Sequence, residues 1–243
     1  MNVKPLVVSG LTKIYGEGRT AVTAVEQASF ELADNEFIAL LGPSGSGKTT
    51  LLSMVGALLT PTEGEVLVAG DDLSDMSSKE QTRFRANRIG FVFQGFNLVP
   101  FLTARENMTV MASISDLPKS EIEDRADQLL KDLGLGERGD NLPGQLSGGE
   151  RQRVAIGRAL VTDPDLILVD EPTASLDTEL GTQVVEMLAS EIKERDKAGI
   201  MVTHDLRMVD YTDRTLEIVD GHLIAKEDRA VSSGASESHN VGG

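Results

Sequence analysis

Short apolar runs alternate with polar, glycine-containing turns along most of this chain. Residues 6–9 and 28–32 read as strands, joined by a polar connection around Gly16 and Arg19. Residues 37–41, Phe-Ile-Ala-Leu-Leu, are apolar throughout, and residues 49–56 read as a helix. Another strand is expected over 65–69, followed by an acidic turn over 70–75 whose spacing matches no calcium loop. Residues 89–93, Ile-Gly-Phe-Val-Phe, form a buried type of strand. From Ala104 to about Leu146 strand signals vanish. There Ser120 and Glu123 predict a capping box opening a helix with Ile122, Ala126, Leu129, Leu130 and Leu133 on one face, closed by Gly134. Further helices are expected over 151–161 and 179–195. Strands are expected over 166–170 and 199–203, and a hairpin over 215–224 turns at Asp220-Gly221. The run Leu166-Ile-Leu-Val belongs to a sheet covered on both faces. The pattern is therefore α/β, one domain over 1–229 with a helical insertion at about 104–160. The small, polar residues 230–243 are expected to be disordered, with no role for His239.

Composition narrows the partners. The chain has 243 residues and 40% hydrophobic positions, ordinary for a protein with a real core. No run nears the roughly 18 apolar residues that span a bilayer, so direct membrane insertion is not expected. The first residues lack the long apolar stretch of a secretory signal, so the chain is expected to stay on the cytoplasmic side. A net charge of −16 with no basic patch argues against nucleic acid, and any membrane role must run through a protein partner. Without cysteine there are no disulfides and no thiolate metal sites.

The candidate chemistry centres on Gly42, Pro43, Ser44, Gly45, Ser46, Gly47, Lys48, Thr49 and Thr50, which fit G-x-x-x-x-G-K-[ST] between a strand and a helix. The glycines let backbone N–H groups curl around phosphates, and the helix points its positive end at the same anion. Lys48 would reach the β- and γ-phosphates of a bound nucleotide, and the Thr49 hydroxyl would ligate Mg²⁺. Asp170 and Glu171 end an apolar strand, where α/β ligands bind. Asp170 would hold Mg²⁺, and Glu171 could orient and polarise an attacking water. His204 ends a later strand; a lone histidine is usually structural, but at this strand end, after the other phosphate-handling groups, it is a candidate γ-phosphate contact. Tyr15 is either an ordinary aromatic or a platform for a purine ring. Ser147, Gly148, Gly149 and Glu150 run into a helix, either as a second anion cradle or as a plain helix cap. Gln94 ends a strand and precedes Phe96, Leu98, Val99, Phe101 and Leu102, apolar residues without periodicity. That loop either folds onto the core or offers a docking surface.

Together these residues resemble the ATP-binding subunits of ABC transporters over essentially the whole chain up to the tail. The family's ordered set is complete: the aromatic loop at Tyr15, the phosphate loop, Gln94, the signature from Leu146 to Glu150, Asp170 with Glu171, Asp177 and His204. Glu150 stands where many relatives have Gln. The resemblance implies a P-loop NTPase core with a mostly parallel sheet, an N-terminal antiparallel β subdomain and a helical signature subdomain. It also implies a head-to-tail dimer. In it each ATP lies between the phosphate loop of one copy and Ser147-Gly148-Gly149 of the other, with Asp177 coupling the two sites and Gln94 sensing Mg²⁺ or the lytic water. A separate membrane permease would dock near Phe96–Leu102 and hold the chain peripherally at the cytoplasmic face of the membrane. Within the family, residues 91–100 resemble the subgroup serving macrolide and peptide exporters, lipoprotein release and cell-division complexes. Val184-Val-Glu-Met187, residues 199–205 and residues 211–214 are most similar to the ATPases of bacterial haem exporters.

Overall fold

A computed structural model gives the fold, and it describes residues 3–225. The expected tail lies outside the described residues. Ten strands form one sheet in the order β5-β4-β1-β2-β10-β9-β3-β8-β7-β6. Strands β1 (Leu6–Tyr15), β2 (Val22–Leu32), β4 (Glu63–Val68) and β5 (Asp71–Asp72) make its antiparallel end. Strands β3 (Phe37–Leu41), β6 (Ile89–Val92), β7 (Leu166–Asp170), β8 (Ala198–Val202) and β9 (Arg214–Val219) are parallel. Strand β10 (His222–Ala225) folds back on β9 through Asp220 (φ 48°) and Gly221 (φ 82°), the left-handed pair that a two-residue hairpin turn requires. It also meets β2 at His222 and Glu26, which joins the antiparallel and parallel halves.

The continuous apolar strands are buried on both faces, and alternate residues serve opposite cores. Ile167 and Val169 of β7 pack with Met201 and Phe37 beneath the helices α3 (Ala104–Thr109), α4 (Lys119–Asp132), α5 (Gly148–Leu160) and α6 (Thr178–Glu194). Leu166 and Leu168 pack with Ile38, Leu40 and Ile200 on the other face, under α1 (Lys48–Val55) and the N-terminal strands. Helix α2 (Ser78–Arg88) precedes β6 and buries no residue fully.

Strands β1 and β2 run several residues beyond the predicted 6–9 and 28–32, because cross-strand pairs continue to Tyr15 and Val22. The predicted capping box at Ser120 does not form. Pro118 is the N-cap of α4, so Ser120 already has helical backbone in the first turn and its hydroxyl cannot serve as the cap. The other end behaves as expected. Gly134 (φ 67°) is left-handed, its N–H reaches the Lys131 carbonyl (3.0 Å), and the Leu135 N–H reaches that of Leu130 (2.6 Å). Helix α5 starts at Gly148, three residues before the predicted start, because Ser147 caps it.

Candidate nucleotide site

The carboxyl ends of four neighbouring strands converge. In spatial order β3, β8, β7 and β6 deliver the glycine loop, His204, the pair Asp170 and Glu171, and Gln94. Crevices at such strand ends are where open α/β sheets bind ligands. Here the crevice is a cleft of about 610 Å³, lined by Gly42, Pro43, Ser44, Gly45, Gly47, Lys48, Thr49, Thr50, Gln94, Asp170, Glu171 and His204. Ala24 and Val202 complete the wall; they carry no chemical signature by which the sequence could have singled them out.

Backbone crowding explains two of the glycines. A Cβ at Gly42 would collide with the Ile218 carbonyl of β9 and come within 2.7 Å of the Ser46 hydroxyl. At Gly47 (φ 105°), the left-handed N-cap of α1, it would strike the Ala24 carbonyl of β2. The loop is thus wedged between two strands that lie far away in sequence. Helix α1 makes its first internal bond from the Leu51 N–H to the Gly47 carbonyl (2.8 Å). The N–H groups of its first turn therefore remain as donors at the cleft, where the helix dipole is positive. Lys48 is buried, and its ammonium donates to the carbonyls of Gly42 (2.7 Å) and Pro43 (2.8 Å).

Opposite the loop, Asp170 is the last residue of β7 and pairs in register with Val202. Burial pushes its carboxyl above the ordinary range, the Glu171 carboxylate adds to this, and Lys48 opposes both. Glu171 has a left-handed backbone (φ 48°), an uncommon conformation for a residue with a side chain. Its N–H is held by the Val202 carbonyl (2.9 Å), and its Oε2 lies 2.6 Å from Nδ1 of His204. Most of Glu171 is covered (15% exposed), whereas the His204 ring is open (71%). A largely covered carboxylate fixed by backbone and ring, lining the same cleft as a cradle of N–H donors, can orient a water against a bound phosphate.

The residues fit a magnesium nucleotide. Ser46 Oγ in the glycine loop is buried with no hydrogen-bond partner, and the first-turn N–H groups of α1 stand free at the cleft. Among the described residues no three His, Cys, Asp or Glu side chains cluster to hold a metal by themselves. Thr49, Gln94 and Asp170 line the cleft together, however, and Mg²⁺ characteristically uses few protein ligands alongside phosphates and waters.

Six further predicted residues lie elsewhere: Tyr15, the run Ser147, Gly148, Gly149 and Glu150 at the start of α5, and Asp177. Tyr15 ends β1 at 45% exposure with the Lys13 ammonium 5.5 Å from its ring centre, and it does not line the cleft. Ser147 caps α5 in a reciprocal box, its N–H donating to the Glu150 carboxylate (2.7 Å) and its hydroxyl accepting from the Glu150 N–H (3.2 Å). Arg138 pairs with the same carboxylate. Asp177 caps α6 by accepting from the Leu180 N–H (3.0 Å). Sequence reasoning missed Arg158 and Asn107, which bind the loop after Gln94; a lone Arg or Asn inside a helix gives no pattern to read.

The model of the ABC transporter family matches residues 25–174. This chain belongs to the ABC transporter family. Its cassette is an ATPase serving transport. Over 218 residues it is 44% identical to a protein of Staphylococcus haemolyticus provisionally named hemin import ATP-binding protein HrtA, covering 90% of this chain and 98% of that relative. The protein of the same name from Staphylococcus aureus (strain Newman) is 45% identical with the same coverage. The dimeric ATP-binding cassette MJ0796, solved in a post-hydrolysis state with ADP and phosphate, superposes with a TM-score of 0.81 at 36% identity, over 92% of this chain and 98% of that one. CbiO1 from Clostridium perfringens, part of the transporter complex cbiONQ, also gives 0.81, at 31% identity over 91% and 87%. The ABC ATPase described here thus has the cassette fold expected from its motifs, with a mixed sheet and a helical part.

Proposed function

We propose that this chain is the ATPase subunit of a haem-translocating ABC system and that it powers export. The observation that carries the catalytic part is the placement of Glu171, fixed by the Val202 carbonyl and His204, across the cleft from the glycine loop. On this reading the N–H groups of residues 44–50 and the Lys48 ammonium bind the ATP phosphates. Thr49, Asp170 and Gln94 would hold Mg²⁺, which supplies charge to offset the phosphates. Glu171 orients and polarises the attacking water, and His204 keeps that carboxylate in place while contacting the γ-phosphate. Tyr15 stacks on the purine ring. Residues 1–229 act as one cassette carrying the inserted helical part.

Ser147, Gly148, Gly149 and Glu150, with Asp177, lie outside the cleft of their own chain. They serve the nucleotide of a second, head-to-tail copy; the dimeric state of MJ0796 supports this. Among the described residues no helix is long and apolar enough to cross a membrane, so transport needs a permease, with the chain held peripherally at the cytoplasmic face.

Haem is supported by relatives named for hemin at 44–45% identity. Those names carry import, whereas the likeness of residues 184–187, 199–205 and 211–214 to haem-exporter ATPases favours export. Deleting the gene decides between them. Under export, cells become more sensitive to haem than to macrolides or cationic peptides. A loss of growth on haem as iron source, without haem toxicity, reverses the direction. Equal sensitivity to all three returns the chain to macrolide or peptide efflux, lipoprotein release or cell division.

A further inference from the structure

The loop between Gln94 and Leu102 is gripped by one face of α5. Arg151 and Arg158 are seven residues apart on that helix, and such spacing puts two side chains on the same side. Arg151 lies 5.0 Å from the ring centre of Phe96 and donates to the Leu146 carbonyl (2.7 Å), just before the Ser147 cap. Arg158 donates from its two terminal nitrogens to the carbonyls of Phe96 (3.0 Å) and Asn97 (2.6 Å). Burial holds its guanidinium below the usual arginine range, and its partners are backbone oxygens rather than carboxylates. A charge withdrawn from water for two carbonyls costs free energy unless the fork is filled. On the far side the fully buried Asn107 of α3 accepts from the Val99 N–H (2.7 Å) and donates to the Val99, Leu102 and Thr103 carbonyls.

We propose that Arg158 is a positioning residue for ATP hydrolysis. It ties the segment after Gln94 to the helix that Ser147 opens, so the loop and α5 move as one unit and Gln94 stays at the mouth of the cleft. Arg158 touches neither the cleft nor the loop of glycines, so its effect reaches the site only through residues 94–97. The role in hydrolysis rests on the ATPase reading above; the grip itself does not.

The test uses the full chain and two variants. Arg158→Met keeps the aliphatic stem and removes both donors, while Arg158→Lys keeps the charge and can fill one carbonyl. Without nucleotide, chymotrypsin with mass mapping reports opening at Phe96, Leu98, Phe101 and Leu102. Cleavage there rises about tenfold in Arg158→Met and by less in Arg158→Lys, the scale of losing one or two charge-assisted bonds. In the same proteins kcat for ATP falls while KM changes little, and the lysine variant recovers part of the loss. Parental cleavage in a folded Arg158→Met variant overturns the grip. If that variant does not fold, parental cleavage in Arg158→Lys overturns it equally. Faster cleavage with parental kcat overturns the role in hydrolysis. Absence of ATP turnover in the parent protein separately removes the ATPase reading while leaving the cleavage result intact.

Discussion

At the scale of single residues, the cleft sets two carboxylates side by side in different surroundings. Glu171→Gln keeps an acceptor for His204 but removes the charge that polarises water. Hydrolysis should fall by roughly 10²–10⁴-fold with ATP binding retained, the usual scale for a lost general base. Single-turnover assays beside nucleotide titrations check this, and near-parental turnover removes Glu171 from the role. Asp170 tests the electrostatics. Its folded carboxyl titrates above the ordinary 3.8, first because of burial and then because of Glu171. The folded state therefore holds that proton more tightly than the unfolded one, and stability falls as pH rises from 3.8 through the raised value. Above that window the penalty is complete. Nucleotide-free Asp170→Asn should then melt higher than the parent at pH 7, with the difference closing as pH drops below 3.8. With magnesium and ATP the order should reverse, because the parent gains a ligand-bound state that the variant holds poorly. A lower melting point for the nucleotide-free variant at pH 7 would mean that the charge is net stabilising through Lys48.

At the scale of elements, the loop 95–103 shows how an aperiodic apolar run divides its side chains. Leu98 packs against the core under the helices, Phe96 lies beneath Arg151, and Val99 and Leu102 are half-buried. Phe101 alone of the five is open, at 77% exposure. Most of the stretch therefore folds inward, as the core reading expects, and one aromatic ring is left exposed. A docking permease would use that ring, held on a loop already fixed by α3 and α5, so little ordering entropy opposes binding. If Phe101 is a hot spot worth about 2 kcal/mol, Phe101→Ala should weaken assembly about 30-fold. Its melting point should stay parental, because little buried area is lost. Copurification of the permease from detergent extract, beside a thermal melt, checks both. Unfolding would show that the ring is structural, and parental assembly would place docking elsewhere.

At the scale of the whole molecule, the same Glu171→Gln variant should accumulate as a dimer on size exclusion with magnesium and ATP, while Lys48→Ala should stay monomeric. On the proposed function, the helix starts of α1, in its own cleft, and of α5, outside it, serve one nucleotide only when two copies face each other. A strictly monomeric Glu171→Gln protein with bound ATP would exclude the sandwich. How much of this was legible beforehand follows physical range. The glycine loop was readable because its conformation, its helix cap and its lysine are specified within nine consecutive residues. The strand 166–170 and the Asp220-Gly221 hairpin were readable because one apolar run and one left-handed turn suffice. Ser120 misled because a cap depends on where the helix starts, and Pro118 decided that. The sequence by itself thus determined the α/β class, the family and the candidate chemistry, since these are encoded in short contiguous patterns. Only the tertiary structure decided that β10 joins two half-sheets, that Glu171 meets His204 across 33 residues, and that Arg158 grips a loop 61 and 62 positions away. Those contacts come from strand order and helix packing, which depend on the sum of many burial energies and leave no local signature at either residue.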